Sequence, residues 1–330
     1  MARVLLSLVA ADFSRRLLSS RAVGESALPK DLNEIRRLFL TIGQDEQRNI
    51  YPGRLRVEKA RGLSDEERRV EASFAALLTW GLMAYVKEYC RRWNNVLNTD
   101  NAREFSEDYN HDKESRARYA RAVHEPAGAL IKTIWNEMVR MPNRSEHNFV
   151  MFLAGGAGSG KTTAVEDLPD LSQFRSAAQI IYDTTMSGLS SSTRKVEEAR
   201  AHGKSVLLLY VHRPYEKATR GMIERALREG RTVPARVLAE DHFNAQRTFL
   251  SLHEKYADDD DFVFLVVDNS GERGQAAIEE VDFLSSVLYN NLGEVIRNVE
   301  NIVKSEYRER AGTGREIPLY VYRAILGEDV

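Results

Sequence analysis

The first part of the chain has apolar residues at the spacing of an amphipathic helix. From Val70 onward, apolar positions recur every three or four residues. Ser64 and Glu67 form a capping-box pattern that predicts the N-terminus of this helix, and the pattern continues to about Leu97. Further helical patterns follow, so we predict an all-α domain over residues 1–146.

The second part of the chain has short apolar runs instead. Phe149–Ala154 is a continuous apolar run that ends in glycines, as expected of a parallel strand buried on both faces. Runs of the same kind occupy residues 178–183, 205–212 and 262–268, and helical patterns occupy residues 190–202 and 215–256. Strands alternating with helices predict right-handed βαβ units. Residues 147–330 are therefore predicted to form an α/β domain of the P-loop NTPase type, a mostly parallel sheet flanked by helices.

Two further elements are predicted near the C-terminus. A helical pattern runs from about Gln275 to Arg308, and the apolar segment "IPLYVYRAIL", residues 317–326, is typical of a strand.

Composition and charge narrow the class of protein. The 330 residues contain 47 Lys and Arg against 49 Asp and Glu, and this balance favours neither a protein that coats nucleic acid nor one that binds a membrane surface. Cys90 is the single cysteine, so the chain cannot form an intramolecular disulfide, and a reducing compartment fits. Neither apolar run, at the N-terminus or at residues 72–86, reaches the roughly 20 residues that a membrane span needs. We expect a cytoplasmic protein.

A glycine-rich loop follows the first predicted strand. Gly155, Gly160, Lys161 and Thr162 match the pattern G-x-x-x-x-G-K-[ST] between a strand and a helix, which is the context that a P-loop requires. Glycines let consecutive backbone N–H groups converge on phosphate oxygens. Lys161 is expected to reach the β- and γ-phosphates of ATP, and the Thr162 hydroxyl to bind Mg²⁺. The predicted nucleotide-binding residues are Gly155, Gly156, Ala157, Gly158, Ser159, Gly160, Lys161, Thr162 and Thr163.

Two arginines are candidates for stabilising a transferred phosphoryl group. Arg225 lies in a predicted helix, and Arg231 follows the glycine that interrupts it. A guanidinium group stabilises the negative charge that spreads over the phosphoryl oxygens during transfer. The alternative is a solvated basic face that pairs with neighbouring glutamates.

Acids end two of the predicted strands. Asp183 and Asp268 stand at carboxyl ends, which face the ligand crevice in open α/β sheets. Asp183 is a candidate catalytic acid or Mg²⁺ ligand. Asp268 and Asn269 are candidates for cofactor binding, and an Asx-type turn is the equal alternative.

Four stretches in this order resemble the zeta-toxin family of P-loop kinases. They are "GGAGSGKTT", a strand ending in an acid and a threonine, "ERALREGRTVP", and a strand ending in "DNSG", together covering roughly residues 148–275. The resemblance implies a small-molecule kinase that uses ATP or GTP with Mg²⁺, and the best-known members phosphorylate a hydroxyl of UDP-N-acetylglucosamine. It places the family's phosphate-contacting arginines at Arg225 and Arg231, and its "EGT" strand end at Asp183. It also implies an antitoxin or a regulatory protein as a partner.

The sequence departs from the family pattern at one place. Family members usually have an extra strand, which bears a catalytic aspartate, between the P-loop helix and the "EGT" strand. Only about twenty residues separate Lys161 from Asp183, so we expect that unit to be absent. Either Asp183 then serves as the base, or the acceptor differs from the family's usual sugar nucleotide.

We therefore predict an ATP-dependent kinase that phosphorylates a hydroxyl of a small molecule, with Lys161, Asp183, Arg225 and Arg231 as catalytic residues. We expect the helical part to regulate or position the kinase without binding nucleotide. Three alternatives stay open: an NTPase switch with a protein partner, a polynucleotide 5'-kinase, and a module that binds nucleotide without turning it over. The near-neutral charge argues against a nucleic-acid partner.

Overall fold

The computed structural model describes residues 55–143 and 149–327. The predicted features of residues 1–54, among them the apolar N-terminal run, lie outside the described residues. Within the described ranges, no helix is both long and apolar enough to cross a membrane.

The first part of the structure is helical apart from one short strand. Its elements are α1 (Asp65–Trp80), α2 (Leu82–Trp93), β1 (Val96–Leu97), α3 (Thr99–Arg103), α4 (Glu107–Asn110), α5 (Lys113–Tyr119) and α6 (His124–Arg140). The Ser64 capping box is present, as the sequence predicts. Gly81 divides the predicted single helix in two, because glycine is a poor helix former. The prediction of a helix reaching Leu97, and of an all-α first part, is wrong at β1.

The second part is the predicted α/β layer structure. Its first elements are β2 (Phe149–Ala154), α7 (Lys161–Asp167), α8 (Pro169–Ala177), β3 (Ile180–Asp183), α9 (Leu189–Ala201), β4 (Ser205–His212), α10 (Tyr215–Glu229), α11 (Ala235–Tyr256) and β5 (Phe262–Asp268). The remaining elements are β6 (Ala277–Glu279), α12 (Val281–Ser286), α13 (Leu292–Glu309) and α14 (Leu319–Leu326).

The six strands form one sheet in the order β1-β3-β2-β4-β5-β6. The first five strands are parallel and β6 runs antiparallel to β5. Alternate side chains of β2 pack into different hydrophobic clusters, Phe152 into one and Met151 into the other. This burial on both faces confirms the interpretation of the continuous apolar run.

The C-terminal predictions need two corrections. The helix predicted from Gln275 is interrupted by β6 and α12, and α13 begins only at Leu292, where the Asn291 side chain caps it. The segment predicted as a last strand is helix α14. Val321 and Ile325, four residues apart, are both fully buried, so the apolar run follows the helical period.

One hydrophobic cluster contains side chains from both parts of the chain. Trp135 of α6 is fully buried and packs against Phe152 of β2 and Tyr182 of β3. The same cluster includes Leu78 of α1 and Phe249 of α11. The helical part is therefore packed directly on the sheet, while the boundary at residue 146 stays a prediction.

Candidate active site

The glycine loop has the conformation that its residues suggest. Gly155, Gly158 and Gly160 all have positive φ angles, of 129°, 77° and 82°. L-residues with a side chain rarely adopt these angles, so glycine is needed at each position. Helix α7 begins at Lys161, whose Nζ donates a hydrogen bond of 3.1 Å to the Gly155 carbonyl oxygen. Thr162 is exposed in the first turn of the helix.

Two side chains that are distant in sequence hydrogen-bond to carbonyl oxygens of this loop. The Asn269 amide, just after β5, donates to the Ser159 carbonyl at 2.8 Å. His242 of α11 lies 2.9 Å from the Ala157 carbonyl through its Nε2. Burial lowers the pKa of His242 to about 4, so the ring is neutral at neutral pH and Nε2 carries the proton that it donates. The sequence analysis named Asn269 as a candidate for cofactor binding, which stays a prediction. It missed His242, because the amphipathic pattern of α11 does not distinguish this residue from the core.

Gly156 is required by the close approach of the His242 ring. A Cβ atom at this position would overlap the imidazole ring. We expect Gly156→Ala to lower the free energy of unfolding by about 1–3 kcal/mol, the usual cost of overpacking, and to weaken ATP binding. Denaturant unfolding and ATP titration would measure both.

Gly221→Ala in α10 is the matched control, because nothing lies within 4 Å of an added Cβ there. It should raise stability by about 0.5–1 kcal/mol through helix propensity and leave ATP binding unchanged. Equal effects of the two alanines would contradict a steric role for Gly156.

Asp183 lies at the carboxyl end of β3, beside a strand that comes from the helical part. β1 pairs with β3 in parallel, with Leu97 opposite Tyr182. The next residue after β1, Asn98, donates from Nδ2 to the Asp183 carboxylate at 2.7 Å. The buried Tyr89 hydroxyl fixes this segment by donating to the Asn98 carbonyl at 3.1 Å.

Asp100 brings the two predicted arginines together. Its carboxylate accepts a hydrogen bond of 3.4 Å from Arg225 and forms an ion pair with Arg231. Arg103, three residues along α3, forms a third ion pair at 3.1 Å. Burial alone would raise the pKa of Asp100, but the three guanidinium charges outweigh it and hold the pKa well below its usual range.

The sequence analysis assigned no role to Asn98 or Asp100, so both were missed. The alternative, in which the arginines pair with neighbouring glutamates on the surface, holds for one of the two arginines only. Arg225 also contacts Glu229 at 3.3 Å, whereas Arg231 has 21% of its side chain exposed and turns toward Asp100. The expectation that no extra strand lies between the P-loop helix and Asp183 is confirmed, because only α8 separates α7 from β3. The strand beside β3 is β1, which precedes the P-loop in the chain.

Asp241 is a second acid that the sequence analysis missed. Its carboxylate accepts a hydrogen bond of 3.2 Å from the Thr185 hydroxyl, in the loop after β3. Burial raises the pKa of Asp241, although two hydroxyl donors and the positive charge of Lys161 act in the opposite direction. Asp241 is half-buried, and a cation bound beside it would stabilise its charged form.

Two more polar groups face the loop. Arg213 follows β4 and has its guanidinium near Gly160. Its Nε and the Ser159 hydroxyl are buried and have no hydrogen-bond partner within residues 55–143 and 149–327.

Asp268 accepts from the Ser270 N–H at 2.9 Å, which is the Asx-type turn that the sequence allowed.

The residues around the loop suit Mg²⁺ in their donor chemistry. Thr162 offers a hydroxyl, and Asp183 and Asp241 offer carboxylates, all of them the hard oxygen ligands that Mg²⁺ prefers. In the described part of the chain, no group of three or more His, Cys, Asp or Glu side chains could hold a metal ion by itself. Kinases commonly bind Mg²⁺ through one or two protein groups together with the nucleotide phosphates.

A mostly parallel sheet with a P-loop at the end of β2 is the fold of a P-loop phosphotransferase. Residues 173–276 match the Zeta toxin family, whose kinases use ATP. The match begins after the P-loop and extends past β5.

One solved structure that matches this chain is described as "Crystal structure of AvrRxo1-ORF1:-ORF2 complex, native". It is 13% identical, the alignment covers 55% of this chain and 79% of that chain, and the TM-score is 0.39. No curated protein matches the sequence.

Proposed function

We propose that this P-loop kinase transfers the γ-phosphoryl group of ATP to a hydroxyl of a small molecule, with a nucleotide sugar as the first candidate. The observation that supports it is the contact of Asp100 with both Arg225 and Arg231 at the crevice end of the sheet. In this arrangement the acid would face the acceptor hydroxyl, and the two arginines would face the phosphoryl group that is transferred.

Each residue has a distinct part in this reaction. The P-loop N–H groups and Lys161 bind the β- and γ-phosphates, and His242 and Asn269 keep the loop in place. Arg225 and Arg231 move from Asp100 to the phosphoryl oxygens as negative charge develops there. Asp100 then orients the acceptor hydroxyl and receives its proton.

Thr162 with Asp183 or Asp241 would hold Mg²⁺, which would supply positive charge to the β- and γ-phosphates. ATP or GTP as the phosphoryl donor and an antitoxin or regulatory partner are parts of the same proposal that rest on the family resemblance. A cytoplasmic location is proposed from the single cysteine, which fits a reducing compartment.

We expect Asp100→Asn to lower turnover by about 10²-fold, because an amide accepts no proton. The apparent KM for ATP should change little, since Asp100 does not lie in the P-loop. Steady-state kinetics would measure both, and Asp108→Asn, an exposed acid eight residues along the chain, is the control. Unchanged turnover in Asp100→Asn would leave this acid with only a structural role toward the arginines.

Asp183→Asn separates two roles for that acid. If Asp183 contacts the acceptor hydroxyl, turnover falls and the affinity for Mg·ATP stays nearly intact. If it binds Mg²⁺, the affinity for Mg·ATP falls as well. Titration with Mg·ATP distinguishes them, and no change in either quantity would identify a strand-end acid that only pairs with Asn98.

The function is tested by incubating the protein with γ-labelled ATP and a metabolite extract. A labelled small molecule that depends on Lys161 is the expected result. Release of labelled phosphate without any labelled acceptor would contradict transfer and favour the NTPase switch.

A further inference from the structure

The C-terminus of α10 is bound to the helical part through its backbone. The last carbonyl groups of a helix have no partner within the helix, so donors from outside satisfy them. Here two cationic side chains of α5 are the donors. Lys113 donates from Nζ to the Leu227 carbonyl oxygen at 3.0 Å. Arg116 donates from Nη1 to the Glu229 carbonyl oxygen at 3.3 Å. Positive charge at this place also suits the negative end of the helix dipole.

Arg116 reaches α10 because α4 holds its guanidinium group. Its Nε donates to Asn110 Oδ1 at 3.1 Å, and the guanidinium carbon lies 6.0 Å from the centre of the buried Tyr109 ring. Arg116 is half-buried, whereas Lys113 is exposed. An exposed lysine gains little from one contact, because holding its long side chain in place costs conformational entropy. We therefore expect Arg116 to hold the end of α10 more firmly than Lys113 does.

Gly230 lets α5 approach the end of α10 closely. It is buried and ends α10 in the left-handed conformation, with a φ angle of 74°. A Cβ atom at this position would lie 2.6 Å from the Lys113 Cα atom, which is closer than two such atoms can approach. The next residue along the chain is Arg231. The backbone of α5 therefore lies against the residue that precedes one of the two proposed catalytic arginines.

The proposed reaction needs such an attachment. Arg225 and Arg231 leave Asp100 when they turn to the phosphoryl oxygens, so Asp100 then no longer fixes the end of α10. Lys113 and Arg116 bind carbonyl oxygens of the helix, and these contacts do not depend on where the arginine side chains point. Charged groups that are already in place stabilise a transition state without reorganising at that moment.

We infer that Arg116 and Lys113 position the arginine segment, residues 225–231, for phosphoryl transfer. Gly230 is the residue that permits the contact. Both cations act through the arginines of this segment and are positioning residues. The inference rests on the proposed function for the reaction that these arginines serve, whereas the attachment of α5 to α10 is measured independently of that reaction.

The first measurement is the rate of labelling with γ-labelled ATP and a saturating amount of metabolite extract. We expect Arg116→Ala to lower this rate by about 10-fold to 10²-fold, because a misplacement of up to about 1 Å has an effect of this size. The KM for ATP should stay the same, since the contact does not involve the P-loop. Arg116→Lys keeps a cationic donor and should recover part of the rate. Arg118→Ala is the control on the same helix, because Arg118 pairs with Glu66 and should leave the rate unchanged.

Two glycine substitutions test the close approach of α5. Gly230→Ala forces the α5 backbone away from α10, and we expect the same rate to fall by about 10²-fold. Gly327→Ala is the matched control. Gly327 ends α14 with a φ angle of 76°, and nothing lies within 4 Å of an added Cβ atom there. Both alanines carry the strain of a positive φ angle, so a difference between them measures the contact with α5.

The second measurement is amide hydrogen exchange of residues 226–233 in the full-length protein without nucleotide. The Gly230 N–H donates to the Ala226 carbonyl oxygen at 2.8 Å and closes the last turn of α10. We expect exchange in this segment to become about tenfold faster in Arg116→Ala and in Gly230→Ala. Residues 240–252 of α11 should keep their protection. This result does not depend on any acceptor.

Three results would overturn the inference while the proposed function stands. One is exchange of residues 226–233 that is unchanged in both variants. Another is normal turnover in spite of faster exchange, which would make the contact purely structural. The third is a rise in the KM for ATP that accompanies the fall in rate, which would assign the loss to the nucleotide site.

Failure of the proposed function has a different signature. If the unaltered protein labels no molecule in any extract, the proposed function fails and the positioning role fails with it. Faster exchange in Arg116→Ala would then support only the attachment of α5 to α10.

Discussion

Lys161→Ala is expected to abolish phosphoryl transfer, with kcat/KM lower by on the order of 10⁴-fold. The ammonium group compensates phosphate charge that backbone N–H groups alone cannot neutralise. Its hydrogen bond to the Gly155 carbonyl is within the loop, so its removal exposes no core surface. The melting temperature should therefore stay the same while ATP affinity and turnover both fall.

Steady-state kinetics, ATP titration and thermal unfolding would test this prediction together. Lys304→Ala, at a partly exposed position on α13, is the matched control and should alter none of the three. Full activity of Lys161→Ala at an unchanged melting temperature would remove the central argument for a P-loop kinase.

Arg225→Ala and Arg231→Ala are expected to lower turnover by on the order of 10³-fold each, by analogy with arginine fingers. Their effect on the KM for ATP should be smaller, because these contacts strengthen as charge develops in the transition state. Each substitution also removes one of the three cations around Asp100, so some loss of stability is expected.

Arg228→Ala is the control that the helix itself provides. Arg228 lies three residues from Arg225, is 69% exposed and pairs with Glu229. Its removal should cost little stability and no turnover. If Arg225→Ala and Arg231→Ala instead have a lower melting temperature and normal turnover, the two arginines have a structural role only.

The parts of the site that the sequence predicts are those encoded locally. The P-loop needs consecutive residues between a strand and a helix, so Gly155 and Lys161 could be placed from their spacing alone. Arg225 and Arg231 are likewise close together around a helix end. The family match over residues 173–276 covers both arginines but begins after the P-loop.

The parts that the sequence missed depend on distant contacts. Asp100 and Arg225 are 125 residues apart, and Asn98 and Asp183 are 85 apart. β1 has two residues, too few to show any periodicity. His242 occupies an ordinary buried position of an amphipathic helix, and only the folded chain brings it under Ala157.

The position of β1 before the P-loop determines when the site is completed during synthesis. Asp100 leaves the ribosome well before Arg225 and Arg231 are translated, and contacts between residues so distant in sequence form late in folding. A nascent chain whose P-loop has been translated therefore still lacks the arginine–aspartate cluster, and it also lacks His242 and Asn269, which hold the P-loop. We expect ribosome-bound chains that end before α10 neither to bind ATP tightly nor to transfer phosphate, so that nucleotide binding and catalysis both begin only after β5 and Asn269 have been synthesised.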